Sequence, residues 1–134
     1  MKPRLLLVED NSANLRLLRD WLESEDFAVS TAETLAAACE SVERQAPDAI
    51  LLDIRVGAEN GLDLVRWIRG EAKLCRIPVI AVTAHALRAE QEHILAQGCN
   101  AIVSKPVDFR QLRRQLDLWL SLAAAQKASS GGAA

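Results

Sequence analysis

Five short apolar runs alternate with five longer amphipathic segments along almost the whole chain. The runs cover residues 5–8, 27–30, 49–52, 77–82 and 101–103. Several are apolar on consecutive residues rather than on alternate ones, which is typical of strands buried on both faces of a sheet. Strands and helices that alternate in this way predict one parallel sheet with right-handed connections and helices on both faces, a doubly wound α/β fold.

The segments between the runs carry apolar residues three or four positions apart, the spacing of one helix face. The first has Leu15, Leu18 and Leu22 at this spacing, with Asn11 or Ser12 available as the N-cap. The other predicted helices cover residues 33–45, 61–70, 85–97 and 108–122.

One domain accounts for the length of 134 residues, of which half are hydrophobic and a quarter charged. Residues 1–125 are predicted to form this domain. Residues 126–134 read QKASSGGAA, and their small, polar composition predicts a flexible C-terminal tail.

Charge and cysteine content narrow the class of protein. The chain has a net charge of −2, whereas nucleic-acid-binding domains usually carry an excess of lysine and arginine. The apolar run near the N-terminus is too short for a signal peptide or a membrane span. The three cysteines form no CxxC pair, which favours reduced thiols. We therefore expect a cytoplasmic protein that binds neither nucleic acid nor membrane.

Ionisable and hydroxyl side chains follow four of the five predicted strands. Glu9 and Asp10 follow the first strand, Asp53 the third, Thr83 the fourth and Lys105 the fifth. The carboxyl ends of parallel strands meet at one edge of a sheet, where ligands bind. Three carboxylates at this edge would repel one another and raise one another's pKa unless a cation bound among them. A hard divalent ion such as Mg²⁺ prefers oxygen ligands of this kind. A metal, an ammonium, a hydroxyl and a nucleophilic carboxylate are the parts of a phosphoryl-transfer site.

Each of these residues also has an ordinary structural interpretation. The acidic pair could favour a helix dipole, Asp53 could be a turn residue, Thr83 an N-cap and Lys105 a solvated strand end. One shared site explains all of them at the same edge of the sheet better than independent coincidences do.

The chain resembles the response-regulator receiver domains of two-component signalling, and in particular single-domain regulators of the chemotaxis and cell-division types. The matching stretches are LLLVEDN, PDAILLDI followed by Gly61, IPVIAVTAHA and GCNAIVSKPV. The resemblance covers residues 4 to about 122. It implies a flavodoxin-like (βα)5 fold with strand order 2-1-3-4-5. It also implies a signalling protein that catalyses only its own phosphorylation and dephosphorylation, with a histidine kinase or a histidine phosphotransfer protein as phosphodonor.

The resemblance also implies roles for individual residues. Asp53 would be the phosphoacceptor, Thr83 would bind a phosphoryl oxygen, and Lys105 would pair with Asp53 and then with its phosphate. Mg²⁺ would be held by Glu9, Asp10, Asp53 and the backbone carbonyl of Arg55. Residues that would modulate the site are Ala84, His85, Ile102 and Pro106, and the Lys105–Pro106 bond would be cis. Signalling to a downstream protein, or to a second copy in a homodimer, would use the 85–97 helix, the fifth strand and the last helix.

The sequence departs from the family pattern at two places, and the first of them keeps another function open. Ile102 stands where many receivers carry a tyrosine or phenylalanine that turns inward on activation, and Val56-Gly57 stands where Met-Pro is frequent. A receiver-like interaction protein that does not depend on phosphorylation is therefore an alternative. A phosphohydrolase with an aspartyl nucleophile is a third, although it needs a second aspartate two residues after the nucleophile, where Arg55 stands.

Overall fold

The structure, a computed structural model, describes residues 2–84 and 87–133, with side chains as far as Gln126. Strands and helices alternate along these residues. In order they are β1 (Arg4–Val8), α1 (Ser12–Ser24), β2 (Ala28–Ala32), α2 (Leu35–Arg44), β3 (Ala49–Asp53), β4 (Arg55–Val56), β5 (Glu59–Asn60), α3 (Leu62–Gly70), β6 (Val79–Thr83), α4 (Arg88–Ala96), β7 (Ala101–Ser104) and α5 (Phe109–Ala133).

Five of the strands form one parallel sheet in the order β2-β1-β3-β6-β7. Counting only these five strands, the order is 2-1-3-4-5, as expected. Every residue of β3 and β6 is buried, which explains why their sequences are apolar on consecutive positions. The predicted doubly wound, flavodoxin-like α/β fold is confirmed.

Two apolar cores lie on opposite faces of the sheet. Successive residues of β1 point to alternate faces, so Leu5 and Leu7 contribute to one core and Leu6 and Val8 to the other. The first core also contains residues of α1 and α5, and the second contains residues of α2, α3 and α4.

The first helix begins at a capping residue that is visible in the sequence. The Asn11 side chain caps α1 by accepting a hydrogen bond from the Asn14 amide at 3.0 Å. Leu15, Leu18 and Leu22 are buried on this helix, as their spacing predicts.

The last two helices differ from the predicted bounds. α4 begins at Arg88 rather than at residue 85, and residues 85 and 86 lie outside the described residues. α5 extends to Ala133, well past the predicted end at residue 122. It therefore includes most of the segment predicted as a flexible tail, whose flexibility stays a prediction.

A two-stranded antiparallel hairpin, β4–β5, follows β3 and was not predicted. Gly57 and Ala58 form its loop, and Gly57 has a φ of 60°. A two-residue hairpin loop of type II′ takes glycine at its first position because φ is positive there. Strands of two residues are too short to produce a hydrophobic period, so this glycine was the only local signal.

Candidate functional site

The side chains that follow the strands meet in one cleft at the carboxyl edge of the sheet, with a volume of about 600 Å³. The cleft brings together all five residues expected there, and its full lining is Glu9, Asp10, Asn11, Asn14, Asp53, Arg55, Thr83, Ala84 and Lys105. Parallel pairing causes this convergence, because β1, β3, β6 and β7 end side by side.

Three carboxylates form an acidic cluster on one side of this cleft. Glu9 and Asp53 are buried and Asp10 is exposed, and one oxygen of each lies within 4.8 Å of the others. Backbone amides orient the two buried groups, since Asn11 N–H donates to Glu9 Oε1 at 3.2 Å and Arg55 N–H donates to Asp53 Oδ1 at 3.1 Å.

Lys105 supplies the cation of the site. Its Nζ donates a hydrogen bond to Asp53 Oδ2 at 3.0 Å and lies 3.6 Å from Glu9 Oε2. The bond between Lys105 and Pro106 is cis, as expected, and Pro106 itself is exposed.

Burial and neighbouring charge shift the pKa of two of these groups. Burial, together with a hydrogen bond to Asp53 and its negative charge, raises the pKa of Glu9 from 4.5 to about 7, although Lys105 and the Asn11 amide oppose this. Burial alone would lower the pKa of Lys105, but hydrogen bonds and charge from Asp53 and Glu9 raise it above its ordinary value. Without a metal, the cluster therefore holds one carboxylate partly protonated near neutral pH.

The remaining predicted site residues occupy different surroundings. Thr83 is buried at the end of β6 and lines the cleft, as does the exposed Ala84. Ile102 is partly buried on β7 and packs against the core formed with α2, α3 and α4, rather than lining the cleft. His85 lies outside the described residues.

Two features of the cleft were not assigned from the sequence. Asn14 lines it from the first turn of α1, and its position after the acidic pair was an available signal. Gly61 packs so closely on the loop after Asp53 that a Cβ would lie 2.5 Å from the Asp53 carbonyl oxygen. This close approach leaves no room for a side chain at position 61, and the Gly61 amide also donates to the Ile54 carbonyl at 2.6 Å.

Comparison with known proteins decides the family. Residues 5–117 match the response regulator receiver domain. The chain belongs to the response regulator receiver domain family. Receiver domains are signalling components of two-component systems, so membership supports signalling rather than metabolic catalysis as the general role of the chain.

Receiver proteins similar in sequence to this chain include polar-differentiation response regulators. The polar-differentiation response regulator DivK of Brucella ovis is 36% identical over 107 residues, which cover 80% of this chain and 87% of DivK. The DivK protein of Brucella anthropi has the same identity and coverage.

Solved receiver domains have the same architecture. The receiver domain of the sensor histidine kinase PA1611 from Pseudomonas aeruginosa PAO1 is 36% identical, with a TM-score of 0.82 over 90% of this chain and 99% of that one. That structure has a magnesium ion coordinated in its active-site cleft. A CheY-like receiver domain protein from Methanospirillum hungatei is 25% identical, with a TM-score of 0.84 over 94% and 99% of the two chains.

Two further observations concern the cysteines and the lengths of the helices. The three cysteines, Cys39, Cys75 and Cys99, are free thiols in the structure. Within residues 2–84 and 87–133, every helix is too short or too polar to cross a lipid bilayer.

Proposed function

We propose that this receiver takes a phosphoryl group from a phosphohistidine onto Asp53, and that the phosphorylated form has altered affinity for a partner protein. The observation that carries this proposal is the contact of Lys105 Nζ with Asp53 Oδ2 at 3.0 Å, within a cluster of three carboxylates. A lysine already paired with the nucleophile is placed to neutralise the phosphate that forms on it.

The transfer needs little covalent chemistry from the protein. An Asp53 carboxylate oxygen attacks phosphorus, a P–O bond forms, and the P–N bond to the donor imidazole breaks with its electron pair returning to nitrogen. Lys105 pairs with one oxygen of the transferred group, and the Thr83 hydroxyl donates a hydrogen bond to another. Hydrolysis of the acyl phosphate by water would return the free carboxylate, which gives self-catalysed dephosphorylation.

The acidic cluster fits Mg²⁺. Its ligand atoms are all hard oxygens, and their mutual approach within 4.8 Å is unfavourable without a cation. Glu9, Asp10, Asp53 and the carbonyl oxygen of Arg55 would hold the ion. When bound, Mg²⁺ supplies positive charge for the acidic cluster and for the incoming phosphoryl oxygens.

The signal would leave the site through Thr83 and the surface formed by α4, β7 and α5, the α4–β7–α5 face. Both helices carry exposed leucines, which are Leu95 on α4 and Leu118 and Leu122 on α5. Exposed apolar side chains of this kind suit a protein partner, either a downstream protein or a second copy. We place this exchange in the cytoplasm, with a histidine kinase or a histidine phosphotransfer protein as the donor.

Intact-mass measurement after incubation with Mg²⁺ and acetyl phosphate tests the proposal. The wild-type chain should gain one phosphate, and Asp53→Asn should gain none. Asp63→Asn is the matched control, because Asp63 is an exposed aspartate on α3 that pairs with Arg66 outside the cleft. It should gain the adduct normally.

Two further measurements, of partner binding and of phosphate-ester turnover, separate the alternatives. Partner binding without any adduct would favour a receiver-like interaction protein, which the aliphatic Ile102 on β7 keeps open. Rapid turnover of an external phosphate ester would instead indicate a phosphohydrolase, for which Arg55 offers no acidic group two residues after Asp53.

A further inference from the structure

The β4–β5 hairpin touches the acidic cluster with its backbone. The Arg55 amide at its start donates to Asp53 Oδ1 at 3.1 Å. At its turn, a Cβ on Gly57 would lie 3.8 Å from Asp10 Oδ2. The hairpin backbone therefore contacts one carboxylate and passes close to a second, and it carries the Arg55 carbonyl that we propose as a metal ligand.

The other side of the hairpin is tied to α2 by Glu59. Glu59 Oε1 accepts a hydrogen bond from the backbone amide of Leu35, the first residue of α2, at 3.3 Å. That amide has no partner within its own helix, because the first four amides of a helix never do. Burial raises the pKa of Cys39 on α2, and the charges of Glu43 and Glu59 raise it further, because the Glu59 carboxylate lies beside this helix.

Strand pairing explains why Glu59 faces α2. Val56 and Glu59 are opposite each other in the hairpin, and directly opposed residues project to the same side. Val56 is almost fully buried in the same core as Leu35. Glu59 is thus carried to the edge of that core, within reach of the Leu35 amide.

We propose that Glu59 is a positioning residue for the metal site: by bonding the first turn of α2, it holds the hairpin where the Arg55 carbonyl can bind Mg²⁺. This rests on the proposed function, since it concerns the affinity of the same cluster for the metal. A hairpin with two residues in each strand has little stability of its own. Its position depends on its attachments, namely buried Val56, the Gly61–Ile54 hydrogen bond and Glu59.

Linkage makes the effect reciprocal. If the Glu59 bond favours the hairpin position that binds Mg²⁺, then bound Mg²⁺ must favour the Glu59 bond by a similar factor. The Leu35 amide reports on this bond directly, because its hydrogen exchange slows when the bond is formed more of the time.

The experiment compares two substitutions that remove the same charge. Glu59→Ala removes the acceptor, whereas Glu59→Gln keeps an amide oxygen that can still accept from Leu35. Glu33→Ala is the control for charge near the same helix end, since Glu33 is an exposed glutamate two residues before Leu35. The Mg²⁺ dissociation constant of each full chain is measured by calorimetry, and exchange of the Leu35 amide by NMR with and without saturating Mg²⁺.

Glu59→Ala should weaken Mg²⁺ binding by roughly threefold to tenfold, the range that the net contribution of one hydrogen bond allows. Glu59→Gln and Glu33→Ala should stay within about twofold of the wild type, well below the effect of losing that bond. Mg²⁺ should slow Leu35 exchange in the wild type but not in Glu59→Ala.

Equal weakening in Glu59→Ala and Glu59→Gln would overturn the inference, because the loss would then follow charge rather than the hydrogen bond. Unchanged Leu35 exchange in a wild-type chain that does bind Mg²⁺ would overturn it as well, while leaving the proposed function intact. A wild-type chain that binds no Mg²⁺ would overturn both.

Discussion

Lys105 Nζ lies 3.0 Å from Asp53 Oδ2, although the two residues are 52 positions apart in the sequence. β6 lies between the two strands that carry them, and Lys105 N–H donates to the Thr83 carbonyl at 2.8 Å. The ends of three neighbouring strands are thus held together by backbone as well as by side-chain contacts. The lysine is already positioned against Asp53 in this structure, so the proposed phosphoryl-transfer site would be preorganised.

Lys105→Met should slow the phosphorylation of Asp53 by acetyl phosphate by roughly a hundredfold. The substitution removes the positively charged ammonium that would stabilise the phosphoryl oxygens during transfer. Lys105→Arg should restore little, because a planar guanidinium does not replace a compact ammonium in a fitted site. The rate of adduct formation by mass spectrometry checks this, with circular dichroism to establish that both variants fold. Wild-type rates in Lys105→Met would contradict the role proposed for this residue.

The free energy of unfolding of the metal-free protein should fall as pH rises from about 4.5 to about 7. In this pH range the raised pKa of Glu9 means that the folded state binds more protons than the unfolded state. Glu9→Gln removes the buried charge. It should raise the free energy of unfolding by up to about 2 kcal/mol at pH 8 and leave it nearly unchanged at pH 5.

Urea unfolding in the presence of a chelator measures this difference. Glu40→Gln, at an exposed position on α2, is the control for loss of one surface charge. The same Glu9→Gln effect at both pH values would show that Glu9 is not the group responsible.

Ile102 should keep one χ1 rotamer when Mg²⁺ and beryllofluoride, a phosphoryl mimic, are added. Its β-branched side chain is stiff at χ1, and it packs against the core formed with α2, α3 and α4. Methyl NMR of Ile102 reports the rotamer. The Thr83 methyl signal should move in the same samples and so establish that the mimic has bound. A change of the Ile102 rotamer together with a shift of the Thr83 methyl signal would contradict this prediction and would mean that Ile102 itself acts as a switch.

Arg69→Ala should destabilise the fold by about 3 kcal/mol, because it leaves several partly buried carbonyls without their donor. The guanidinium donates five hydrogen bonds from α3, with acceptors on Cys75 O, Ile77 O, Gly98 O (twice) and Asn100 Oδ1. Arg69 thereby joins α3 to the segments that lead into β6 and β7.

Arg66→Ala is the matched control on the same helix. Arg66 is exposed and pairs with Asp63, so its loss should cost less than about 1 kcal/mol. Urea unfolding of the two variants measures the difference. Equal stabilities would mean that water replaces the Arg69 hydrogen bonds without penalty.

The sequence alone determined the layout of the sheet and the composition of its edge. Short consecutive apolar runs are typical of strands covered on both faces, and the amphipathic segments between them supply the cover. Once the sheet is parallel, residues after the runs must share one edge, which brought Glu9, Asp53 and Lys105 together before any distance was known. The cap at Asn11 likewise followed from local chemistry.

Only the tertiary structure decided how these groups are connected and charged. The Glu59–Leu35 bond and the hydrogen bonds from Arg69 to Gly98 O and Asn100 Oδ1 join segments 24 to 31 residues apart, and no local pattern encodes such pairs. The raised pKa of Glu9 likewise depends on how deeply packing buries it against Asp53. Short-range physics fixes which residues form strands and helices, whereas burial and long-range contact fix what the site can hold.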